Sequence, residues 1–170
     1  MKPRIALLLL LASAAFAQNR RAPGFSLPDT NFVQYDLQDL RGKVLLLEFL
    51  RTDCPTCKTL TNTIAEVNDK FGDKVRVIYV VTPPDTQASV AAYVKDQSMR
   101  GPVLFDCGQV TASYTGATAR NPTVHLPHLF IIDAEGFIRA HASADGNPGE
   151  LLANSISAAV EEVLSKPQPK

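Results

Sequence analysis

A run of apolar residues from Val44 to Leu50, broken only by Glu48, constrains this chain more than any other stretch of it. The run is too short for a buried helix and apolar on both faces, as a strand in the middle of a sheet is. Downstream, Leu60, Ile64, Val67 and Phe71 recur at intervals of 4, 3 and 4, which marks one face of a helix, and Gly72 stands where that helix can stop. Val75 to Val81 is a second buried-strand pattern, rich in β-branched residues. A strand, a helix and another buried strand in that order argue for a parallel crossover unit.

The rest of the chain extends this reading. Phe25 to Asp29 and Tyr35 to Leu40 read as short segments at the entrance, an N-terminal hairpin, with Arg41-Gly42-Lys43 as a turn. Pro83-Pro84-Asp85 breaks the chain, Ala88 to Gln97 reads as a helix, Pro102 to Phe105 as a short strand, and Gly108 to Tyr114 as a short helix. Residues 115–126 form an irregular connection of unusual length. Leu129 to Ile132, the turn Asp133-Ala134-Glu135-Gly136 and Phe137 to Ala142 make a β-hairpin. Pro148 opens a last helix to about Ser165, with Leu151, Leu152, Ile156, Ala159, Val160 and Val163 as its apolar side. The order predicts an α/β fold: a central mixed β-sheet flanked by helices, with an inserted βα region.

The N-terminus reads differently. Lys2 and Arg4 precede an apolar run from Ile5 to Ala12, and Ala15 and Ala17 place small residues where a signal peptidase needs them. Cleavage is expected between Ala17 and Gln18, and no Cys follows that point, so lipoprotein processing is not supported. The run is shorter than the roughly 18 residues of a membrane span. Residues 1–17 are therefore expected to be a signal peptide, 18–24 a polar lead-in, 25–165 the domain and 166–170 a tail. The 17 basic and 17 acidic residues become 15 and 17 after cleavage, with no run of one sign. That excludes nucleic acid as an expected partner, since phosphate binding needs clustered Lys and Arg. Export implies an oxidising compartment, where paired cysteines form disulfides.

Chemistry concentrates at Cys54-Pro55-Thr56-Cys57, between the first buried strand and its helix. Free N–H groups and the helix dipole favour a thiolate at the first cysteine, and the second is close enough to resolve a mixed disulfide. Pro55 suits a first helical turn, where its missing N–H has no partner to lose. Two other readings stand beside this one. Half of a zinc site would need ligands from Cys107, His125, His128 and His141, yet there is no second Cys-X-X-Cys and no paired-histidine motif. A structural staple is the other, although closing so small a loop removes little chain entropy.

Taken together, Ala22 to Asp29, Leu40 to Phe49, the CPTC motif and Leu126-Pro127-His128-Leu129-Phe130-Ile131-Ile132-Asp133-Ala134-Glu135-Gly136 resemble the TlpA/ResA-like thiol–disulfide oxidoreductases, a thioredoxin-superfamily branch related to AhpC/TSA proteins. The resemblance covers residues 22–163 and implies a thioredoxin-like fold. It implies that Cys54 is the nucleophile and Cys57 the resolving cysteine. Pro127, and not the nearer decoy Pro122, matches a cis-proline that sets the backbone of Leu126 beside the thiols, where a substrate backbone can pair. Pro55, Thr56 and His128 complete the expected substrate-facing surface. Glu48 stands six residues before Cys54, where thioredoxins carry a buried acid able to relay the second thiol's proton; the bland alternative is an exposed acid on an edge. The implied activity is disulfide exchange with protein substrates as a reductant, with the oxidising direction as the alternative. Apocytochrome c is one implied substrate and a membrane electron donor an implied partner. No cofactor or metal is expected beyond the redox-active Cys54–Cys57 disulfide.

Several positions depart from that family. Asp53 stands where Trp is usual and its charge opposes a neighbouring thiolate, with Arg51 near enough to offset it. The Pro-Thr pair leaves the potential unassigned, and the 115–126 connection borders the cis-proline, where it can shape substrate choice. Cys107 reads as a small buried residue, or as a regulatory or dimer-forming thiol. His128 reads either as a group touching substrate or thiolate or as a polar residue at a loop border, and His125 and His141 as surface residues. Two further activities compete. Sco-type copper chaperones share the fold and use two cysteines and a histidine, but their cysteines are spaced one residue wider and their histidine falls at Pro127, one residue before His128. Peroxiredoxins carry a Thr and a Pro where this chain has Arg51 and Leu47.

Overall fold

The computed structural model describes residues 20–97 and 99–166. The expected signal peptide, Gln18, Asn19 and residues 167–170 lie outside the described residues. Among the described residues, no helix is long and apolar enough to cross a membrane.

The two apolar runs are the central strands, β4 (Val44–Leu50) and β5 (Val75–Val81), parallel and joined through α1 (Pro55–Phe71). Every residue of β4 is buried, Glu48 included. Beside β5 runs β6 (Val103–Phe105), also parallel, reached through α2 (Gln87–Asp96). On the other side of β4, β7 (His128–Ile132) is antiparallel and turns into β8 (Phe137–Ser143). The turn is organised by Asp133, whose carboxylate accepts from the N–H groups of Glu135 and Phe137 and from Arg139 Nε. With β1 (Arg20–Arg21) on the outer edge of β8, the order is β1-β8-β7-β4-β5-β6, a mixed sheet with helices on both faces. The thioredoxin-like architecture read from the sequence is the one observed.

Alternation along β4 divides the core into two layers. Val44, Leu46, Glu48 and Leu50 face α1 and α4 (Ala153–Ser165) with Cys57, Leu60, Ile64, Leu129 and Ile131. Leu45, Leu47 and Phe49 face the other layer with Phe130, Ile132 and Tyr114 of α3 (Gln109–Thr115). There Phe49, Phe130 and Tyr114 pack with ring centroids 5.1–5.8 Å apart, each pair adding about 0.5–1.5 kcal/mol beyond its buried area. The small hairpin of β2 (Ser26–Pro28) and β3 (Gln34–Asp36) covers this layer. Gly72, with φ 55°, ends α1 in a backbone conformation that L side chains rarely adopt.

Two expectations need correction. The lead-in is part of the fold: Arg20 and Arg21 pair with Ile138 and Phe137, Ala22 is buried and its N–H donates to Gly136, and Tyr114 donates to the carbonyl of Pro23. The edge of β8 supplies backbone partners for a segment whose side chains look like a solvated linker. The last helix is split, because Pro148–Leu151 forms a separate 3-10 turn capped by Asn147; Leu152 sits at the break, 57% exposed and not on the apolar side. The long connection stays irregular, its Thr118–Asn121 bridge apart.

Candidate active site: a disulfide at the start of α1

The site begins with a change of backbone direction at the end of β4. Cys54 is the N-cap of α1, with extended φ and ψ (−96°, 113°), and Pro55 takes the first helical position. Its Sγ accepts from the N–H of Cys57 at 3.1 Å, so one of the orphan donors of the helix start points at the sulfur. Cys54 and Cys57 are joined as a disulfide. Cys54 is partly exposed and Cys57 fully buried, with Pro55 and Thr56 exposed between them. An attacking thiolate therefore meets Cys54 first.

Facing the disulfide is the Leu126–Pro127 peptide bond, which is cis. The carbonyl oxygen of Leu126 lies 3.8 Å from Cys54 Sγ, and Pro127 is buried behind it, its own carbonyl accepting from Ala144 N–H. Thr52 anchors the approach to the cysteines, donating from its N–H to Asp85 Oδ2 at 3.0 Å and from its hydroxyl to Oδ1. Asp53 does not confront the sulfur as a free charge. Arg51 grips it in a fork of 3.0 and 2.5 Å, and that hydrogen-bonded partner holds the Asp53 carboxyl below its ordinary value. A groove of about 510 Å³ opens beside Leu126, walled by Arg51, Cys107, Thr118, Pro122 and Val124.

Behind the disulfide, Glu48 is completely buried on the β4 face turned to α1. Burial pushes its carboxyl well above its ordinary value, and a hydrogen bond from Thr61 opposes that push. Thr61 Oγ1 donates to Glu48 Oε2 at 3.1 Å and lies 2.9 Å from Tyr93 Oη. Thr61 and Tyr93 escaped the sequence reading. Thr61 was findable, four residues after Cys57 and so on the same helical face, whereas nothing local marks Tyr93.

His128 is placed elsewhere. It alternates with Leu129 and so faces the Phe130 layer, away from α1, where it is buried with Nδ1 2.8 Å from His141 Nε2. Its ring is not on the surface that Cys54 presents, because the strand begins at this residue and β alternation turns it over. The two cysteines and His128 that a Sco-type copper site would use are thus on opposite sides of the sheet. His141 is not a free surface residue: it is half-buried and stacks on Phe130 at 4.2 Å. His125 is exposed and pairs with Asp145 at 3.1 Å. Cys107 is exposed, against its reading as a small buried residue: it lies two residues beyond Phe105, the end of β6, and opens onto the groove.

The sequence model of the AhpC/TSA family matches residues 19–141. The chain belongs to that family. Proteins similar to it include the thioredoxin-like protein YneN of Bacillus subtilis, 26% identical over 72% of this chain and 69% of that protein. The thiol–disulfide oxidoreductase ResA of Bacillus cereus is 29% identical over 69% of this chain, and the match spans 64% of ResA's own length. A crystal structure of a thiol:disulfide interchange protein of the thioredoxin family from Chlorobium tepidum superposes with a TM-score of 0.71 at 20% identity, covering 89% of this chain and all of that one. Family and fold thus agree, and the relatives similar to this chain include proteins named as thiol–disulfide oxidoreductases.

Proposed function

We propose that the protein exchanges disulfides with protein substrates outside the cytoplasm and runs as a reductant, with Cys54 as nucleophile, Cys57 as resolving thiol and Glu48 as the proton acceptor for Cys57. The observation that carries this is the asymmetry of the pair: Cys54 is reachable and capped by a helix N-terminus, while Cys57 is buried in the layer that holds Glu48.

In the reduced protein the Cys54 thiolate attacks one sulfur of a substrate disulfide. The substrate S–S bond breaks, a mixed disulfide forms and one substrate thiolate leaves. Cys57 then gives its proton to Glu48, and its thiolate attacks Cys54 Sγ, closing the Cys54–Cys57 disulfide and expelling the second substrate thiolate. The substrate gains two electrons and the pair loses them. Pro55, Thr56 and the Leu126 backbone line the approach, so an extended substrate segment can pair with the Leu126 carbonyl while its side chains enter the adjoining groove.

The reducing direction is supported by the charges at Cys54. A strong oxidant owes its potential to extra stabilisation of the reduced form. Here Arg51 and Asp53 neutralise each other beside the sulfur, leaving the helix start as the stabilising feature. Export is supported by the N-terminal pattern of Lys2, Arg4, the apolar run and Ala15–Ala17. Outside the cytoplasm an exported reductant needs electrons from a membrane thiol donor, and the cysteine pairs of apocytochrome c are one substrate class that such a donor can serve.

Two measurements test this. The Cys57→Ser variant, mixed with a disulfide-bonded protein, is expected to accumulate a mixed disulfide through Cys54 that a non-reducing gel and mass spectrometry read; Cys54→Ser traps none. Equilibration of the pair in thiol buffers is expected to give a midpoint near or below about −270 mV, whereas a value toward about −120 mV overturns the reductant reading.

A further inference from the structure

Glu48 has two carboxylate oxygens, and the structure treats them unequally. Oε2 accepts from Thr61 at 3.1 Å, whereas Oε1 is buried without a hydrogen-bond partner among the described residues. Thr61 has one hydroxyl proton and gives it to Glu48. The contact of 2.9 Å between Thr61 Oγ1 and Tyr93 Oη must then have Tyr93 as the donor. A directed chain runs from α2 through α1 to the acid: Tyr93 to Thr61, Thr61 to Glu48. Thr61 also stands one turn along α1 from Cys57 on the same buried face, so the chain meets the carboxyl in the layer holding the resolving thiol. Tyr79 of β5, in register with Glu48, and Tyr93 of α2 are the other titratable groups turned to it, and the residues of β7 and α4 in this layer, Leu129, Ile131, Ile156, Val160 and Val163, are apolar.

We propose that Thr61, itself held by Tyr93, is the positioning residue that prepares Glu48 as proton acceptor: it ties down Oε2 and stabilises the carboxylate, leaving Oε1 to take the Cys57 proton. This rests on the reading of Glu48 given above. Without the Thr61 hydroxyl the carboxylate loses the interaction that opposes burial, so it is occupied by a proton over a wider pH range and accepts less readily.

The test separates the two thiol steps. The reduced protein is mixed in a stopped-flow instrument with an aromatic disulfide whose released thiolate absorbs visible light. The first phase reports attack by Cys54, the second expulsion of the remaining thiolate by Cys57. Thr61→Val is expected to leave the first phase intact and to move the acidic limb of the second to higher pH, with a fall of roughly tenfold on the acidic side, the size expected for one hydrogen bond to a charged group. Thr61→Ser restores the wild-type limb, and Tyr93→Phe moves it in the same direction by less. A wild-type limb in both Thr61→Val and Tyr93→Phe overturns the proposal while Glu48→Gln can still flatten the limb, which keeps the acceptor reading. A limb that survives Glu48→Gln overturns both. Should Thr61→Val fail to fold, as circular dichroism would show, Tyr93→Phe decides alone, an upward shift supporting the proposal and an unshifted limb ending it.

Discussion

Asp53 shows how a single residue changes meaning between sequence and structure. Read alone, a carboxylate next to the nucleophile opposes its thiolate. In the fold Arg51 closes on it as a bidentate pair, and both side chains remain largely in solvent. Arg51→Ala removes the compensation and leaves Asp53 facing Cys54, so less thiolate is present at neutral pH. Alkylation of Cys54 in the reduced protein is expected to slow by roughly two- to fivefold, the range of an exposed pair. Asp53→Asn moves the rate the other way, and both effects shrink at high salt, where exposed charges are screened. Of the residues around the disulfide, those tied to it by chain position were legible: Cys54, Cys57 and Pro55 by motif, and Pro127 and Glu48 through the family resemblance, by their spacing to Asp133 and to Cys54. Tyr93 and Asp85 were not, because they reach the site from a different element and carry no local pattern.

Elements were readable where one environment governs a whole segment. β4 and β5 are buried on both faces, so their ends coincide with the ends of the apolar runs. The two-residue β1 has only arginines to show, and its place depends on the edge of β8, which no local pattern reveals. The His128–His141 pair was equally hidden, since strand register brings together residues thirteen apart, with Phe130 opposite His141. That pair has a measurable consequence. Burial, with His128 alongside, pushes His141 down to about 4, and burial also lowers His128. A histidine lowered in the folded state is neutral there while the unfolded chain already binds a proton. Its contribution to stability is therefore present above the ordinary value of 6.5 and lost as pH falls toward 4. His141→Phe preserves a ring to stack on Phe130 and removes one titrating group. Urea unfolding of the variant is expected to depend less steeply on pH between those values, though the variant starts from a lower plateau because His128 Nδ1 loses its partner.

At the scale of the molecule, the sheet sets two helical layers apart, and the reactive pair sits at the top of one of them with an acid sealed beneath it. Sealing an acid there weakens the fold. Burial holds the Glu48 carboxyl well above its ordinary 4.5, so in the folded protein it keeps a proton that the unfolded chain releases. For a carboxyl raised in this way, the favourable contribution is complete below the ordinary value and is lost as pH rises toward the folded one. Glu48→Gln keeps the shape and removes the titration. In the oxidised protein, where no proton has to leave Cys57, the variant is expected to be the more stable by about 1 kcal/mol or more at about pH 8, with the difference closing near pH 4; denaturant midpoints at the two pH values read both. In the reduced protein the same substitution is expected to slow closure of the disulfide. A gain in stability joined to a loss in thiol exchange would show that the acid is retained for chemistry. Equal midpoints at both pH values would instead mean that Glu48 titrates alike in the folded and unfolded chains, and the proton-acceptor role would lose its physical basis.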